Sequence, residues 1–406
     1  MTAPTGARMT IPEFSQSPRE PGFVQDPYPF YDRVRAAAPL FHWSDYSHLC
    51  TAHFDLTNTI LRDRRFGRVA PDGFKTPVPK HLEPFYHVES FSLLDREPPD
   101  HTRLRMLILR AFTSRRIAEL APEIAALAER LMDEFDGTDI DLLPTFAEKI
   151  PVIIIARLLG VPESLADQLL IWSHDMVSMY QARRDRSVED RAVKSALEFR
   201  DFLTGYIAER RARPADDLIT HLIAAEADGA RLSTAELIST CVLLLNAGHE
   251  ATVHAIGNGV RAILKSGQMP GDLLTTPKAA LASANEILRY DPPLHMFTRY
   301  ATQDVAIGGH SFKIGDVVGL LLAAANRDPA RYANPATFDI QRGGTGQLAF
   351  GAGIHFCVGA PLALLEMTTA LPALFRRFPR LHLADEPKFG DRYHFHGLAS
   401  LRLKLV

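Results

Sequence analysis

At 406 residues, with 46% hydrophobic and 23% charged side chains, the chain carries enough apolar material for a sizeable core, which excludes a largely disordered protein. A formal net charge of -3 leaves no electrostatic footprint for nucleic acid or an anionic membrane. Cys50, Cys241 and Cys357 form no CxxC pair and no disulfide framework, so a reducing, cytoplasmic setting is expected.

Residues 1–20 are polar and proline-containing, without the apolar core of a signal peptide or membrane anchor, and are expected to form a flexible arm. Residues 21–406 are expected to form one domain, because no low-complexity linker and no fixed-period repeat divides them. YPFYDRVRAAA predicts a helix that ends before Pro39, with a small β region after it. The segment 66–92 is rich in Pro and Phe and lacks a period, which suggests either a functional or an ordinary surface loop. Asp95–Arg105 opens a helix with His101 and Arg105 on one side, a pattern that by itself describes a solvated basic face. Helical spacing dominates from about 100 to 265. Within it, LSTAELISTCVLLLNAGHEATVHAIGNGVRAIL reads as one helix of about 32 residues, roughly 48 Å long, opened by a capping box at Ser233 and Glu236. Gly248 in its middle costs about 1 kcal/mol against alanine, which points to a role beyond helix formation. Thr276-Pro277 predicts the start of another helix, with Glu286 and Arg289 on one face before the stop at Pro292. Beyond it, short alternating segments with Gly-Gly and Gly-Asp turns predict a minor sheet.

The strongest chemical signal is Phe350-Gly351-Ala352-Gly353-Ile354-His355-Phe356-Cys357-Val358-Gly359, followed at once by the helical APLALLEMTTALPALF. A cysteine at a loop-to-helix junction faces unpaired N–H groups and the positive end of a helix dipole, which favour the thiolate, the metal-ligating form. Gly351, Gly353 and Gly359 would let a flat cofactor approach the backbone. Cys50 and Cys241 have no such context and read as structural thiols.

These ten residues match the haem-binding loop F-G-x-G-x-H-x-C-x-G at every fixed position, and the chain therefore resembles the bacterial cytochromes P450. Supporting motifs in the family's order extend the resemblance over about residues 25–400. It implies a mainly α fold with a small β subdomain, and haem b with Cys357 as the axial thiolate. Such a ligand pushes electron density onto iron and favours O–O cleavage. Phe350 would pack near the sulfur. His101, Arg105, Arg299 and His355 would hold the haem propionates. Glu286 and Arg289 fill the family's E-x-x-R, which braces a later arginine at the position of Arg342.

Ala247-Gly248-His249-Glu250-Ala251-Thr252 resembles the distal motif, whose small pair makes room for dioxygen and whose acid would be Glu250. The sequence departs from the family at Ala251, where a threonine hydroxyl usually supports proton delivery. Thr252 lies about 100° further around the helix and cannot simply replace it. A substrate hydroxyl, Asn246 or an ordered water is expected to complete the relay; the competing reading is a poorly coupled enzyme or an oxidation less dependent on that threonine. By resemblance, the substrate pocket would draw on Phe85, Leu243, Asn246, Ala247, Leu294, Met296, Phe297 and Phe395, implying a largely apolar ligand, although such side chains are more often plain core.

No flavin or iron-sulfur signature is present. The resemblance implies electrons from a separate ferredoxin and ferredoxin reductase, docking on the cysteine side, where Arg103, Arg110, Arg115 and Arg116 offer positive charge. The expected activity is hydroxylation or epoxidation of an apolar small molecule with dioxygen. The alternatives are a peroxide-driven haem enzyme and a haem-based ligand sensor.

Overall fold

The computed structural model describes residues 11–227, 229–342 and 346–405. Helices build most of it around one large apolar core, and a six-stranded sheet lies beside them with two smaller clusters. The sheet runs in the order Glu13–Phe14, Phe41–Trp43, His48–Thr51, Val317–Leu321, Met296–Ala301, Phe66–Gly67. Its Val318↔Arg299 pairing is antiparallel. The mainly α architecture with a small β part is the one expected.

Of the arm expected over residues 1–20, residues 1–10 lie outside the described residues. The rest is docked: Glu13–Phe14 pairs with Phe41–Trp43, and the Trp43 indole N–H donates to the Gln16 carbonyl at 2.8 Å. No hydrophobic period announced this docking, because backbone pairing and one indole carry it. The segment 66–92 also holds more order than a loop, since Glu83–Glu89 forms a helix with proline in its first turn. There Phe85 is 1% exposed and Val88 is buried in the main core. Seven residues are too few to display a 3.6-residue period.

The central helix Thr234–Lys265 spans 32 residues, and its capping box is formed, with Ser233 accepting from the Glu236 N–H and Glu236 from that of Ser233. It is clasped by the helices Lys149–Leu159, Ala166–Val177, Pro277–Tyr290 and Ala360–Arg377. A Cβ on Gly248 would lie 2.8 Å from Ile155 Cδ1. The glycine thus lets two helices approach closely, a physical reason different from making room for dioxygen.

The last of these helices contains a buried acid that pairs with no basic group among the described residues: Glu366 is 1% exposed and one of its carboxyl oxygens has no hydrogen bond. Burial pushes its pKa up to about 8. The folded state therefore binds a proton that the unfolded chain releases above the ordinary carboxyl range, so stability falls as pH rises from that range toward 8. Glu366→Gln should raise stability at neutral pH by about 2–3 kcal/mol and flatten this part of the pH dependence of the melting temperature. A variant that melts with the wild-type pH dependence would contradict this account.

Candidate active site

The cysteine loop is held by its own backbone before any cofactor is considered. Cys357 N–H donates to the Phe350 carbonyl at 3.0 Å, and a single tight turn, Gly353–His355, precedes the thiol. The helix Ala360–Arg377 begins directly after Gly359. Burial pushes the half-buried Cys357 thiol up, while N–H groups of Gly359 and Ala360 and the charge of Arg105 pull it down. Burial wins, so the thiol sits above its ordinary range; the two helix-terminal donors and the guanidinium are the groups that would meet the sulfur as an anion. At Cys50 burial outweighs the single Gly319 N–H, and at Cys241 burial and the charge of Asp217 act together, so both thiols are held at about 12.

The loop glycines have separate reasons. Gly351 and Gly353 adopt φ of 69° and 72°, which other residues rarely tolerate. A Cβ on Gly353 would overlap the Leu61 carbonyl oxygen, so this glycine docks the loop on the helix Phe54–Arg62. A Cβ on Gly351 would lie 3.3 Å from the Phe297 ring. Of the three, only Gly359 borders the sulfur: a Cβ there would lie 3.8 Å from Cys357 Sγ.

Around the loop, three elements bring basic groups together. His101, from the helix Asp100–Ala111, is 2% exposed, and its ring centroid lies 4.3 Å from that of His355. Its Nε2 has no hydrogen-bond partner. Burial, then the charges of His355 and Arg105, hold its pKa down at about 4. Arg299, on the strand Met296–Ala301, is 2% exposed, donates to the Thr298 carbonyl at 2.8 Å, and has its pKa lowered to about 10, first by burial and then by Arg68. Among the described residues no carboxylate pairs with Arg299. His355 faces Glu97 Oε2 at 3.2 Å. An unpartnered buried imidazole, a buried guanidinium and a thiol supplied with donors fit a flat, thiolate-ligated cofactor with a dianionic edge.

Behind the loop, Arg289 forms a fork with Glu286, both bonds 2.7 Å, and also donates to the carbonyls of Asn326, Pro335 and Thr337. Arg342 joins with Nε 3.5 Å from Glu286 Oε1 and bonds to the Asn334 and Thr337 carbonyls. Asn326 links this knot to the loop, its Oδ1 accepting the Leu348 N–H at 2.7 Å. The predicted E-x-x-R pair and its later arginine are therefore in contact.

Midway along the central helix, Leu243, Ala247 and Ala251, spaced by four, are at least partly exposed where most neighbours are buried. They form one open face, with Asn246 beside it. Asn246 Nδ2 donates to Met176 Sδ at 3.6 Å, while its buried Oδ1 has no partner. Thr252 lies off this face: it is 3% exposed, and its hydroxyl donates to the Gly248 carbonyl at 2.9 Å. It was a catalytic candidate, and its proton is committed to its own helix instead. Glu250 is also 3% exposed, within 3.5 Å of His174 Nε2 and 3.4 Å of His254 Nε2. Burial opposes its ionisation, but His254, His174 and His249 outweigh it and hold its pKa at about 2.

The expected pocket residues divide. Leu294 and Phe395 are brought together in a β-bridge and are half-buried. Phe297 lies against Gly351, on the side of the cysteine loop. Phe85 sits in the main core, and Met296 in a cluster with Trp43, Cys50 and Leu321. These two are corrections: neighbours from distant elements fill their surroundings, which makes them core side chains. Of the arginines expected to meet a donor, Arg103 is paired with Glu236 and Arg115 with Glu119.

Sequence reasoning missed Glu97, His174 and His254. His254 stands four residues after Glu250, a helix spacing that could have shown the pair. Glu97 and His174 come from other elements and carry no local signal.

The family model described as Cytochrome P450 matches residues 280–404. The chain is 34% identical over 396 residues to the polyketide biosynthesis cytochrome P450 PksS of Bacillus subtilis, covering 94% of this chain and 96% of that protein. It is 32% identical over 407 residues to the epothilone C/D epoxidase of Sorangium cellulosum, covering 98% and 96%. The crystal structure of P450BioI in complex with hexadec-9Z-enoic acid ligated acyl carrier protein superposes with a TM-score of 0.89 at 32% identity, covering 95% of this chain and 100% of that one.

Proposed function

Because the chain belongs to the cytochrome P450 family and is a monooxygenase, we propose that it hydroxylates or epoxidises a largely apolar small molecule, with Cys357 as the proximal ligand. The family uses haem b with an axial cysteine thiolate and dioxygen, and the bound group supplies the oxygen activation. The observation that carries the assignment is the Cys357 thiol, met by the Gly359 and Ala360 N–H groups and by the charge of Arg105. His101, Arg105, Arg299 and His355 hold the propionate edge. Glu286, Arg289 and Arg342 brace the loop, and residues 21–406 act as one catalytic domain.

On the distal side Leu243 and Ala247, with Leu294 and Phe395, offer the substrate apolar surface. The unpartnered Asn246 Oδ1 accepts a hydrogen bond from a hydroxyl or amide on it. The names of the epoxidase and of the polyketide biosynthesis relative support epoxidation among the reactions and a biosynthetic small molecule as the substrate. Electrons come from a separate redox partner, a ferredoxin with its reductase, in a cytoplasmic setting. No helix of the described residues is long and apolar enough to cross a membrane. Phe356 on the cysteine loop is 42% exposed, and Met106 and Leu109 on the His101 helix are also exposed, giving a donor protein apolar contacts beside Arg110.

The test is reconstitution of the haem-loaded protein with ferredoxin, reductase and NAD(P)H, against peroxide alone, on a panel of apolar substrates. Reductant-dependent oxygenated product supports the reading; product with peroxide only would replace it by the peroxide-driven one. In the same assay Ala251→Thr restores an alcohol to the open face beside Glu250. It should raise product per reductant oxidised by about two- to tenfold, below the range of about 10²–10⁴ that a positioned acid gives. Unchanged coupling would show that the missing alcohol does not limit this enzyme.

A further inference from the structure

Glu250 is the acid beside the open helix face, and it is sealed from solvent. Two basic side chains lie within 4 Å of its carboxylate among the described residues: His254, itself 5% exposed, and His174, whose side chain is 40% exposed. His174 comes from the helix Ala166–Val177 and presents Nε2 to Glu250 Oε1 at 3.5 Å. His254 leads no further outward, since its ring packs so closely on Gly397 that a Cβ there would overlap it.

The other charged and titratable groups facing this pair are few. The His249 ring stands 5.4 Å from that of His174, is fully buried, and has both ring nitrogens without a hydrogen-bond partner. Burial holds its pKa down at about 4, partly offset by the charge of Glu250. The Glu148 carboxylate faces both His174 and Glu250, and Arg392 faces Glu148. His174 thus stands between two carboxylates at the edge of the protein, whereas the remaining imidazoles are enclosed.

We propose that His174 is the group through which protons pass from solvent to Glu250, so that it acts through Glu250 rather than on the reacting atoms. In the step, the N–H bond of the His174 imidazolium breaks, its electron pair stays on Nε2, and the proton bonds to Glu250 Oε1. Neutral His174 reloads from solvent. Glu250 returns to carboxylate when its proton is drawn off toward the open face; two such transfers, with two electrons from the redox partner, supply what the second oxygen atom of dioxygen needs to leave as water. This rests on the monooxygenase reading, and it gives the chain a feed to its acid although Ala251 and Thr252 supply no free hydroxyl.

The experiment compares wild type, His174→Gln and His174→Lys as haem-loaded proteins, with Glu250→Gln as reference. Infrared pH-difference spectra first read the Glu250 carboxyl itself. In wild type the carboxylate should persist to low pH; in His174→Gln a protonated-carboxyl band absent from Glu250→Gln should emerge at higher pH, and in His174→Lys it should not. Product per reductant is then followed against pH. In wild type it should fall as pH rises, because an imidazole donates only in its protonated form. In His174→Gln it should be several-fold lower and flat. His174→Lys should recover part of the yield and hold it to higher pH. A His174→Gln protein with the wild-type infrared band, pH profile and solvent isotope effect would overturn the role of His174. Absence of reductant-driven product in wild type would instead overturn the monooxygenase reading, while the infrared arm still decides whether His174 governs Glu250.

Discussion

Cys357→Ser should abolish the red-shifted, thiolate-type Soret band of the reduced, carbon monoxide-treated protein and reduce turnover to background. A serine hydroxyl keeps the size of the thiol and still accepts from the Gly359 and Ala360 N–H groups, so the loop should keep its path. It does not ionise in the range where two N–H donors and Arg105 can stabilise an anion, and anionic sulfur is the soft donor that sets this chemistry. The expected protein folds, binds haem more weakly, and shows a blue-shifted band when reduced with carbon monoxide. Cys50→Ser and Cys241→Ser should leave the band unchanged, since both thiols are enclosed in core clusters. Survival of the thiolate band in Cys357→Ser would overturn the assignment of the axial ligand.

Arg289→Ala should be the most damaging change away from the cysteine. The Glu286–Arg289 pair is nearly inaccessible, with side-chain exposures of 5% and 3%. Removing the guanidinium leaves a buried carboxylate with only Arg342 at 3.5 Å and the Asp339 N–H at 2.8 Å, and strips the carbonyls of Asn326, Pro335 and Thr337 of a donor. Breaking a buried pair from one side costs about 3–5 kcal/mol. Asn326 connects this knot to Leu348, so the loss should reach the cysteine loop and appear as low haem content as well as a lowered urea midpoint. Arg289→Lys keeps the charge without the fork and should recover only part of both. Full haem occupancy and wild-type stability in Arg289→Ala would show that the knot is not what holds the loop.

Taken by itself, the i, i+3 spacing of Glu286 and Arg289 describes a helix-surface pair worth a few tenths of a kcal/mol. Burial of that helix face under the loops of residues 326–342 turns the same two residues into the brace of the site. Burial is a property of what lies opposite, and spacing along one helix does not contain it. The pocket shows the same limit: Phe85 and Met296 have the apolar character of pocket residues, but packing partners from distant elements place them in the core.

What the sequence determined by itself is local. The capping box at Ser233 and Glu236, the Thr276-Pro277 start, the turn-rich strands after Pro292 and the glycine-spaced cysteine loop each lie within a few residues of their cause. The cysteine pattern was specific enough to imply the cofactor. Only the tertiary structure decided that Gly248 serves contact with Ile155, that the Thr252 hydroxyl is spent on the Gly248 carbonyl, and that the buried Glu250 carboxylate lies against the partly exposed His174. These depend on the directions of side chains from separate helices, which are fixed when the core closes and leave no periodic trace in the chain.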